Sequence, residues 1–367
     1  MTMKHKKLLP ICGVVALWIL LTVFAWCKPS QDFSVWERRK LTQFPKVSLS
    51  SILSGKFMTD FDSYSLDQFP GRDTFRQIKS LFHYYVLGQL DNNGIAIADG
   101  SAFKLDYPVS ESSLTYAVNH LNGIYETNLK DTGSKIYFAI VPDKAYYLAS
   151  QNGYPAMDYA LLEDTVKAGI PWARFVDLKD SLSAADYYTT DTHWRQERIL
   201  PAAKILCDAM GIRLPRDFTP EEIGRDFYGV YYGQAALPMA AEKMYTLGSP
   251  LLDGCSVYNL ETGKTTSVYD MDQLENRDLY DIYLSGAAAL LTITNPAAPA
   301  DRELIVFRDS FGSSMIPLLI ADYGTITVVD TRYLSAASLS QYIDFHGQDV
   351  LMLYSTSVLN SSSALRK

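Results

Sequence analysis

The sequence predicts an α/β fold in which helices cover both faces of a mostly parallel sheet, preceded by a single N-terminal transmembrane helix. Helical material separates most of the predicted strands, and alternation of apolar strands with helices is typical of a parallel sheet. The strands are short runs that are apolar almost throughout, as in strands buried on both faces. They are KIYFAIV (135–141), ARFVDL (173–178), ELIVF (303–307), TITVVD (325–330) and DVLMLYS (349–355).

The composition of the 367-residue chain is that of an ordinary globular protein, with 48% apolar and 20% charged residues. This length supports one large domain or two modest ones. The formal net charge is −8, although residues 1–7 carry three lysines and no acid. An acidic body excludes a nucleic-acid binder, which needs clustered Lys and Arg to neutralise phosphates. Four cysteines exclude a disulfide scaffold.

The N-terminus predicts the compartment. Residues 8–27 follow the basic MTMKHKK and contain no charged side chain. Twenty helical residues span about 30 Å, the thickness of a hydrocarbon core. The end of the run lacks a small-x-small cleavage pattern, which favours a signal anchor over a cleaved signal peptide. We therefore expect residues 1–27 to be a cytoplasmic tail and a single-pass anchor in the cell membrane, with the C-terminal domain outside the cytoplasm.

The exported part divides into two predicted regions. Residues 28–90 form a polar linker followed by membrane-proximal helices with aromatic residues at helical spacing. Residues 91–367 form the α/β domain, which opens with the hairpin signal GIAIADGSAFKL. Within that domain, the stretch from about 212 to 300 is rich in Gly, Pro, Tyr and Asp and is expected to be an irregular insertion.

Ser310 carries the sharpest local signal. It follows the apolar run ELIVF within RDSFGSSM, and a helix-compatible segment comes next. A serine on such a turn, at the carboxyl edge of a parallel sheet, can act as a nucleophile because backbone N–H groups and a helix N-terminus stabilise an oxyanion there. Serine is also a common helix N-cap. The motif alone leaves both roles open.

A serine nucleophile needs a base, and the chain has five histidines. His5 falls in the predicted cytoplasmic tail. His83 and His120 fall off the apolar stripes of their predicted helices and are expected to be solvated. His346 precedes a predicted strand and so lies at its amino end, away from the expected site. Elimination leaves His193.

His193 lies in ADYYTTDTHWRQE, with Asp191 two residues before it. In an extended or turn segment, side chains at i and i+2 project to one side, so the carboxylate can orient the imidazole. The alternatives are a helix N-cap for Asp191 and a hydrogen-bonded turn histidine. The combination with Ser310 favours a Ser–His–Asp triad, because one His and one Asp do not fill the three or four ligand positions of a metal site.

Several longer segments resemble a known family. They are WERRKLTQFPKVSLSSILSGKFMTDFDSYSLDQFPGRD, FAIVPDKAYYL, DTHW, FRDSFGSSMIPLLIADY and VDTRY. Together they resemble the DHHW protein family of Gram-positive bacteria over roughly residues 33–360. That family is similar in turn to the SGNH-hydrolase-like domains of alginate O-acetylation proteins.

The resemblance implies an SGNH-hydrolase-like fold and a triad of Asp191, His193 and Ser310 that moves acetyl groups onto polysaccharide. Acid, base and nucleophile then occur in the reverse of the order in ordinary SGNH hydrolases. Thr192 occupies the place of the first histidine of the family's box and leaves the Asp-x-His pair intact. The resemblance also implies a multispanning membrane partner that delivers the acyl donor.

Further candidates follow from the strand ends. Asp143 and Lys144 come directly after one predicted strand, and Arg332 and Tyr333 after another, so all four are expected at the rim that holds the nucleophile. Arg332 is expected to hold a carboxylate or sugar substituent, and Tyr333 to stack on a sugar. Surface ion pairs and a half-buried tyrosine are the alternative. Arg308 either binds the oxyanion or neutralises the aspartate beside it.

The expected function is that of a membrane-anchored, extracytoplasmic acyl-ester enzyme, an O-acetyltransferase or acetylesterase of a cell-wall glycan or exopolysaccharide. No cofactor, metal or nucleic-acid partner is expected. The alternative is a non-catalytic envelope protein that binds glycan or acts as a scaffold and retains the fold. Cys207 and Cys255 could pair in an oxidising compartment, and the sequence leaves that pairing open.

Overall fold

The computed structural model describes residues 3–34, 36–276 and 278–366. The chain forms two compact units. The first consists of the chain up to Asn92 together with Gly233–Pro238, and the second consists of Asn93–Tyr232 and the chain from Met239 onward.

The first unit is mainly helical. Its helices are α1 (Met3–Cys27), α2 (Leu49–Leu53), α3 (Lys56–Asp67) and α4 (Arg72–Leu81), which continues as a π-helical turn (Phe82–Val86). Its strands are β1 (Phe33–Ser34), β2 (Arg39–Lys40) and β3 (Asp91–Asn92). Strands β1 and β2 pair in antiparallel fashion.

Helix α1 covers the segment predicted to cross the membrane. Across the described residues, however, no helix is long and apolar enough to span a bilayer, so the predicted transmembrane helix is not supported. Met1 and Thr2 of the predicted cytoplasmic tail lie outside the described residues.

The second unit contains the remaining elements. Its strands are β4 (Ile95–Ala98), β5 (Ser101–Lys104), β6 (Ile136–Val141), β7 (Arg174–Val176), β8 (Thr219–Phe227), β9 (Glu242–Gly248), β10 (Ser256–Asn259), β11 (Lys264–Thr266), β12 (Leu290–Thr294), β13 (Glu303–Arg308), β14 (Thr325–Val329) and β15 (Asp349–Ser355). Its helices are α5 (Glu111–Ile124), α6 (Lys144–Leu148), α7 (Tyr159–Gly169), α8 (Leu200–Met210), α10 (Pro250–Asp253), α11 (Gly312–Met315) and α12 (Thr356–Asn360). Helix α9 (Val230–Ala235) begins in this unit.

Shorter helical pieces connect these elements. A π-helical turn at Tyr125–Leu129 extends α5. The 3₁₀ helices are Ser150–Asn152, Lys179–Ser181, Ala184–Asp186, Gln196–Arg198, Met271–Glu275, Leu279–Ile282, Ile316–Asp322, Ala336–Gln341 and Ser362–Ala364.

The central sheet has the strand order β11-β10-β12-β14-β13-β15-β6-β7 in the part of the chain that the structure describes. Strands β14, β13, β15, β6 and β7 are parallel to one another, whereas β12 pairs with β14 in antiparallel fashion and β10 and β11 continue the antiparallel pairing at that edge. All five predicted apolar runs are strands of the parallel part. The antiparallel edge comes from the predicted insertion, which also supplies the hairpin of β8 and β9.

Alternation along the strands builds a core on each face of the sheet. In β13, Leu304 and Val306 pack on the face covered by α8 and α11, while Ile305 and Phe307 pack on the face covered by α5 and α7. Successive side chains of a strand point to opposite faces, so a strand that is apolar throughout must be covered on both sides. The predicted mixed α/β fold with a mostly parallel sheet and helices on both faces is confirmed.

The parallel strands place four of the chain segments that follow them at one edge of the sheet. The segments after β6, β13, β14 and β15 all leave from the carboxyl ends of their strands, and functional side chains collect at that edge in such sheets. Pro201 occupies the first turn of α8, which begins at Leu200. The first turn accommodates the proline because its missing N–H would have no partner within the helix there.

Candidate active site

Ser310 lies on the turn between β13 and α11. Two hydrogen bonds that the Asp309 carboxylate accepts shape this turn. Asp309 Oδ1 accepts from the Phe311 N–H at 3.0 Å, and Oδ2 accepts from the Ser355 N–H at 2.7 Å. The second bond ties the turn to the end of the neighbouring strand β15. Asp309 is almost fully buried, whereas Ser310 is half-buried. The serine is thus held by a buried carboxylate and is itself accessible.

Gly312 lets the chain turn this tightly. A Cβ at this position would lie 2.7 Å from the Cβ of Arg308, closer than real carbon atoms approach. The Gly312 N–H donates to the Asp309 carbonyl at 3.1 Å, which closes the turn. The glycine in RDSFG is therefore required by the backbone.

His193 reaches Ser310 from a separate loop. The loop reverses between Tyr187 and Trp194, which form an isolated antiparallel bridge. His193 Nε2 lies 2.8 Å from Ser310 Oγ, and Nδ1 lies 3.5 Å from Asp191 Oδ1. The second distance is that of an ion pair and is long for a hydrogen bond, as is common in unliganded catalytic sites. The three residues that the sequence predicts as a triad are adjacent in this order.

Ser314 anchors the histidine loop to the serine segment. Its Oγ accepts from the indole Nε1 of Trp194 at 2.8 Å and lies 2.7 Å from the Tyr280 hydroxyl. Its carbonyl accepts from Gln196 Nε2 at 2.9 Å. Trp194 and Gln196 are both fully buried. Because Trp194 directly follows His193, this anchor also fixes the imidazole relative to Ser310.

Aromatic rings enclose the imidazole. The Tyr280 ring stacks on His193 with the ring centroids 3.9 Å apart, and Phe311 lies 5.1 Å away. His193 is only 8% exposed. Burial raises the pKa of Tyr280 far above its ordinary value, so its phenol stays neutral. The imidazole of His193 therefore lies in a largely apolar pocket.

The Ser310 N–H meets no acceptor among the described residues of this unit. It is therefore available to an oxyanion that forms on a carbonyl attacked by Ser310 Oγ. The next N–H, that of Phe311, is already committed to Asp309.

The Arg308 side chain points into the protein. Its Nη2 donates to the Gly286 carbonyl at 3.0 Å, and its Nη1 donates to Ser313 Oγ at 3.0 Å. The buried Asp330 carboxylate lies 4.0 Å away, and burial lowers the pKa of the guanidinium. The guanidinium is therefore bound inside the fold rather than free for an oxyanion, and its carboxylate partner is Asp330 rather than the adjacent Asp309 of the alternative prediction, whose oxygens accept from backbone N–H groups.

Arg332 and Tyr333 lie at the carboxyl edge of the sheet, as expected from their place after β14. Asp330 accepts from Arg332 Nε at 2.9 Å and from Nη2 at 2.7 Å, so this guanidinium already has a bidentate partner. Tyr333 is 44% exposed, with its ring centroid 5.6 Å from the guanidinium. Of the predicted rim residues, Tyr333 is the one that offers an open face.

Asp143 and Lys144 do not face the solvent at this rim. Asp143 caps α6 through the Tyr146 N–H and accepts from the Tyr159 hydroxyl and from Thr356 Oγ1, each at 2.7 Å. Burial raises the pKa of this carboxyl. Lys144 is 2% exposed and donates to backbone carbonyls. The prediction of substrate contact is not supported for either residue, because both side chains are buried and form hydrogen bonds inside the protein.

The other histidines differ in their surroundings. The prediction of a solvated His120 is wrong, because this residue is buried and its Nε2 lies 3.1 Å from Thr331 Oγ1. The apolar stripe of α5 does not include His120, but the loop after β14 covers it. His346 lies at the amino end of β15, as predicted. It is exposed, and its Nε2 is 3.5 Å from Glu303.

The cysteines of the second unit are free thiols. Burial raises the pKa of Cys207 to about 12 and that of Cys255 to about 11. Within residues 3–34, 36–276 and 278–366, no cluster of three or more His, Cys, Asp or Glu side chains has the arrangement needed to hold a metal ion.

Gly229 is a residue of the site that the sequence does not reveal. A Cβ here would lie 2.3 Å from the Cβ of Asp191 and 2.4 Å from the Thr190 carbonyl oxygen. We expect Gly229→Ala to reduce the free energy of unfolding by about 1–3 kcal/mol, because the added methyl group displaces the loop that carries Asp191. Urea unfolding measures this change. The matched control is Gly123→Ala in α5, where a Cβ meets no atom within 4 Å and alanine should add about 0.5–1 kcal/mol. Equal changes in the two variants would contradict the packing.

Comparisons with known proteins place this fold. No family model matches the sequence, and no curated protein matches it. A DHHW family protein from Eubacterium siraeum has a similar structure, with a TM-score of 0.56 and 18% identity over 76% of this chain and 98% of that chain. PatB1 from Bacillus cereus, solved with a sulfonyl adduct, gives a TM-score of 0.58 and 18% identity over 72% of this chain and 95% of that chain.

The O-acetyltransferase domain of Pseudomonas putida AlgJ is less similar, with a TM-score of 0.44 and 16% identity over 73% of this chain and 92% of that chain. At these identities, the comparisons show a similarity of fold and nothing further. The resemblance predicted from the sequence motifs is confirmed at that level: the chain shares the α/β fold of a DHHW family protein and of PatB1.

Proposed function

We propose that this protein is an acyl-ester enzyme that transfers an acetyl group to a hydroxyl of an extracytoplasmic polysaccharide. Ser310 is the nucleophile, His193 the general base and acid, and Asp191 the group that orients and stabilises the imidazolium. The observation that carries the proposal is the 2.8 Å contact between His193 Nε2 and Ser310 Oγ, with Asp191 behind Nδ1. This is the arrangement of a serine nucleophile with its base and orienting acid.

In the first half-reaction, Ser310 Oγ attacks the carbonyl carbon of the acetyl donor while His193 Nε2 takes the hydroxyl proton. The carbonyl oxygen becomes an oxyanion, which the Ser310 N–H can stabilise. The tetrahedral intermediate collapses with loss of the donor's leaving group, which takes the proton from His193. The products are an acetyl ester on Ser310 and the protonated leaving group, an alcohol or a thiol.

In the second half-reaction, a sugar hydroxyl attacks the acetyl-serine ester. His193 removes the proton of that hydroxyl, and the bond from the acyl carbon to Ser310 Oγ breaks. The same proton returns to Ser310, so the enzyme is regenerated and the sugar carries the acetyl ester. If water attacks instead, the products are acetate and free enzyme.

The surroundings of His193 favour transfer over hydrolysis. Tyr280 and Phe311 pack around the imidazole, and such rings exclude water from the base while a sugar occupies the acceptor position. The exposed Tyr333 offers a ring face of the kind on which a sugar stacks.

The cellular setting is also proposed. The basic first residues and the uncharged run 8–27 are the sequence features that favour attachment to the cell membrane with the catalytic unit outside the cytoplasm, although α1 is not long and apolar enough to span the bilayer by itself. A multispanning membrane partner would then deliver the acyl donor, since a single helix offers no route across the bilayer. Resistance of the full chain to carbonate extraction from membranes tests the anchor, and complete release into the supernatant would contradict it.

Labelling of Ser310 tests the catalytic proposal. The purified full chain is treated with a fluorophosphonate and assayed with p-nitrophenyl acetate, alone and with added oligosaccharide acceptors. We expect Ser310→Ala to abolish labelling and to reduce turnover of the ester to background, because no other residue supplies the nucleophile. The matched control is Ser112→Ala, which removes an exposed hydroxyl in the first turn of α5 and should leave both readouts unchanged.

The outcomes separate the candidate functions. Labelling that persists in Ser310→Ala would contradict the catalytic proposal and favour the non-catalytic envelope protein. Acetyl-oligosaccharide formed in a Ser310-dependent reaction supports transfer. Ser310-dependent release of acetate alone, with every acceptor tried, would favour the esterase.

A further inference from the structure

Lys144 is a buried lysine that holds the turn carrying the acid of the site. It begins α6, directly after β6, and its side chain is 2% exposed. Its Nζ donates to the Tyr188 carbonyl at 2.5 Å and to the Thr189 carbonyl at 3.3 Å. These carbonyls precede Asp191 by three and two residues. Lysine is almost never fully buried without charged partners, so this position calls for a specific explanation.

Glu242 holds the same turn from β9. Its Oε1 accepts from the Thr189 N–H at 2.7 Å, and its Oε2 accepts from the N–H and the hydroxyl of Thr190 at 2.7 and 2.6 Å. Hydrogen bonds to an ionised carboxylate are roughly twice as strong as neutral ones. Every backbone group bound by Lys144 or Glu242 lies in residues 188–190, immediately before Asp191.

The charges at this turn are close enough to act on one another. The Lys144 ammonium is attracted by the carboxylates of Asp191 and Glu242. Tyr231 of α9 is a further titratable neighbour, with its ring centroid 5.4 Å from Nζ. Burial raises the pKa of this tyrosine, so its phenol stays neutral. His193 lies on the far side of Asp191. Burial lowers the pKa of Lys144 to about 7, against the pull of both carboxylates, so its positive charge acts on Asp191 in the acidic half of the range from pH 5 to pH 9 and is lost in the alkaline half.

We propose that Lys144 and Glu242 are positioning residues that clamp the 188–190 turn, and that the Lys144 charge sets the basicity of His193 by offsetting part of the Asp191 charge. The inference rests on the proposed function, since this basicity matters only if His193 takes the proton of Ser310. Neither residue contacts the reacting atoms. Their effect passes through Asp191.

The two charges predict opposite effects on His193. Below about pH 7, removing the Lys144 charge leaves a more negative field at the imidazole, which stabilises the imidazolium and shifts the onset of labelling to higher pH. Removing the Glu242 charge makes the field more positive, which shifts that onset to lower pH. Labelling of Ser310 requires the neutral imidazole, so the pH midpoint of the labelling rate reports these shifts.

The experiment measures the rate of fluorophosphonate labelling of the full chain from pH 5 to pH 9. For Lys144→Met, we expect the midpoint to move up by about half a unit to one unit, whereas Glu242→Gln should move it down. We also expect the plateau rate to fall about tenfold in both variants, because the acid's turn is less well held. The control is Lys130→Met, which removes an exposed lysine that follows the π-helical turn at Tyr125–Leu129 and pairs with Glu126, and which should change neither quantity.

A purely structural role gives a different result. Plateau rates that fall while both midpoints remain at the wild-type pH would overturn the inference, as would midpoints that move in the same direction. Circular dichroism shows whether each variant is folded, and Glu242→Gln carries the test alone if Lys144→Met is not. Failure of the proposed function is distinguishable, since labelling would then persist in Ser310→Ala.

Discussion

Replacing His193 with alanine is expected to slow both the fluorophosphonate labelling of Ser310 and the turnover of p-nitrophenyl acetate by about 10²–10⁴-fold. His193 Nε2 is 2.8 Å from Ser310 Oγ, and without the imidazole the serine must lose its proton to water. The residual rate should no longer change with the titration of a histidine between pH 5 and pH 8. Labelling rates measured across that range check both the magnitude and the loss of pH dependence.

The matched control for this substitution is His346→Ala. His346 is an exposed histidine at the amino end of β15, and its replacement should leave the rates and the pH profile unchanged. The role assigned to His193 would be wrong if His193→Ala labelled within a factor of about three of the wild-type rate while remaining folded. The stacked Tyr280 makes a fold check necessary, because the alanine removes its ring partner.

The three residues of the proposed triad could be predicted from the sequence because each of them carries a local signal. Ser310 follows a strand of unbroken apolar residues, and the i, i+2 spacing of Asp191 and His193 places both side chains on one side of a turn. The contact between His193 and Ser310 joins residues 117 positions apart. No local pattern encodes such a distance. Elimination among five histidines and the family resemblance supplied the pairing.

The residues around the triad could not be predicted, for two physical reasons. Tyr280 and Glu242 come from the region between 212 and 300, where no periodicity predicts which side chains face the site. Lys144 was expected at the rim because it follows a strand, but a strand end fixes where the backbone leaves the sheet and not where a long side chain points. The fold turns Lys144 inward because the 188–190 turn presents two carbonyls to it.

The antiparallel edge of the sheet has the same explanation. Strands β10, β11 and β12 are short and partly polar. They join the sheet through the pairing of β12 with the buried strand β14. The strands that could be predicted are those buried on both faces. In strands buried on both faces, burial dictates an apolar residue at every position. In an edge strand, the residue type depends on the side chains of the neighbouring strand.

The charge pair beneath the nucleophile turn carries the largest expected effect on stability. Arg308 and Asp330 are both fully buried, 4.0 Å apart, and Arg332 holds Asp330 from the other side. Removing one partner of a buried pair leaves an uncompensated charge, which costs far more than the pair contributes. The hydrogen bonds that Arg308 makes to Gly286 and Ser313 do not neutralise its charge.

We therefore expect Asp330→Ala to lower the free energy of unfolding by about 3–5 kcal/mol, measured by urea denaturation with tryptophan fluorescence. Asp208→Ala is the control, because its exposed pair with Lys204 should contribute less than about 1 kcal/mol. Adding Arg308→Met to Asp330→Ala should restore part of the loss, since methionine needs no counter-ion. If the free energy of unfolding instead falls further in the double variant, by the sum of the two single losses, Asp330 is not the counter-ion of Arg308. Arg308 would then stabilise the fold through its hydrogen bonds and not through its charge.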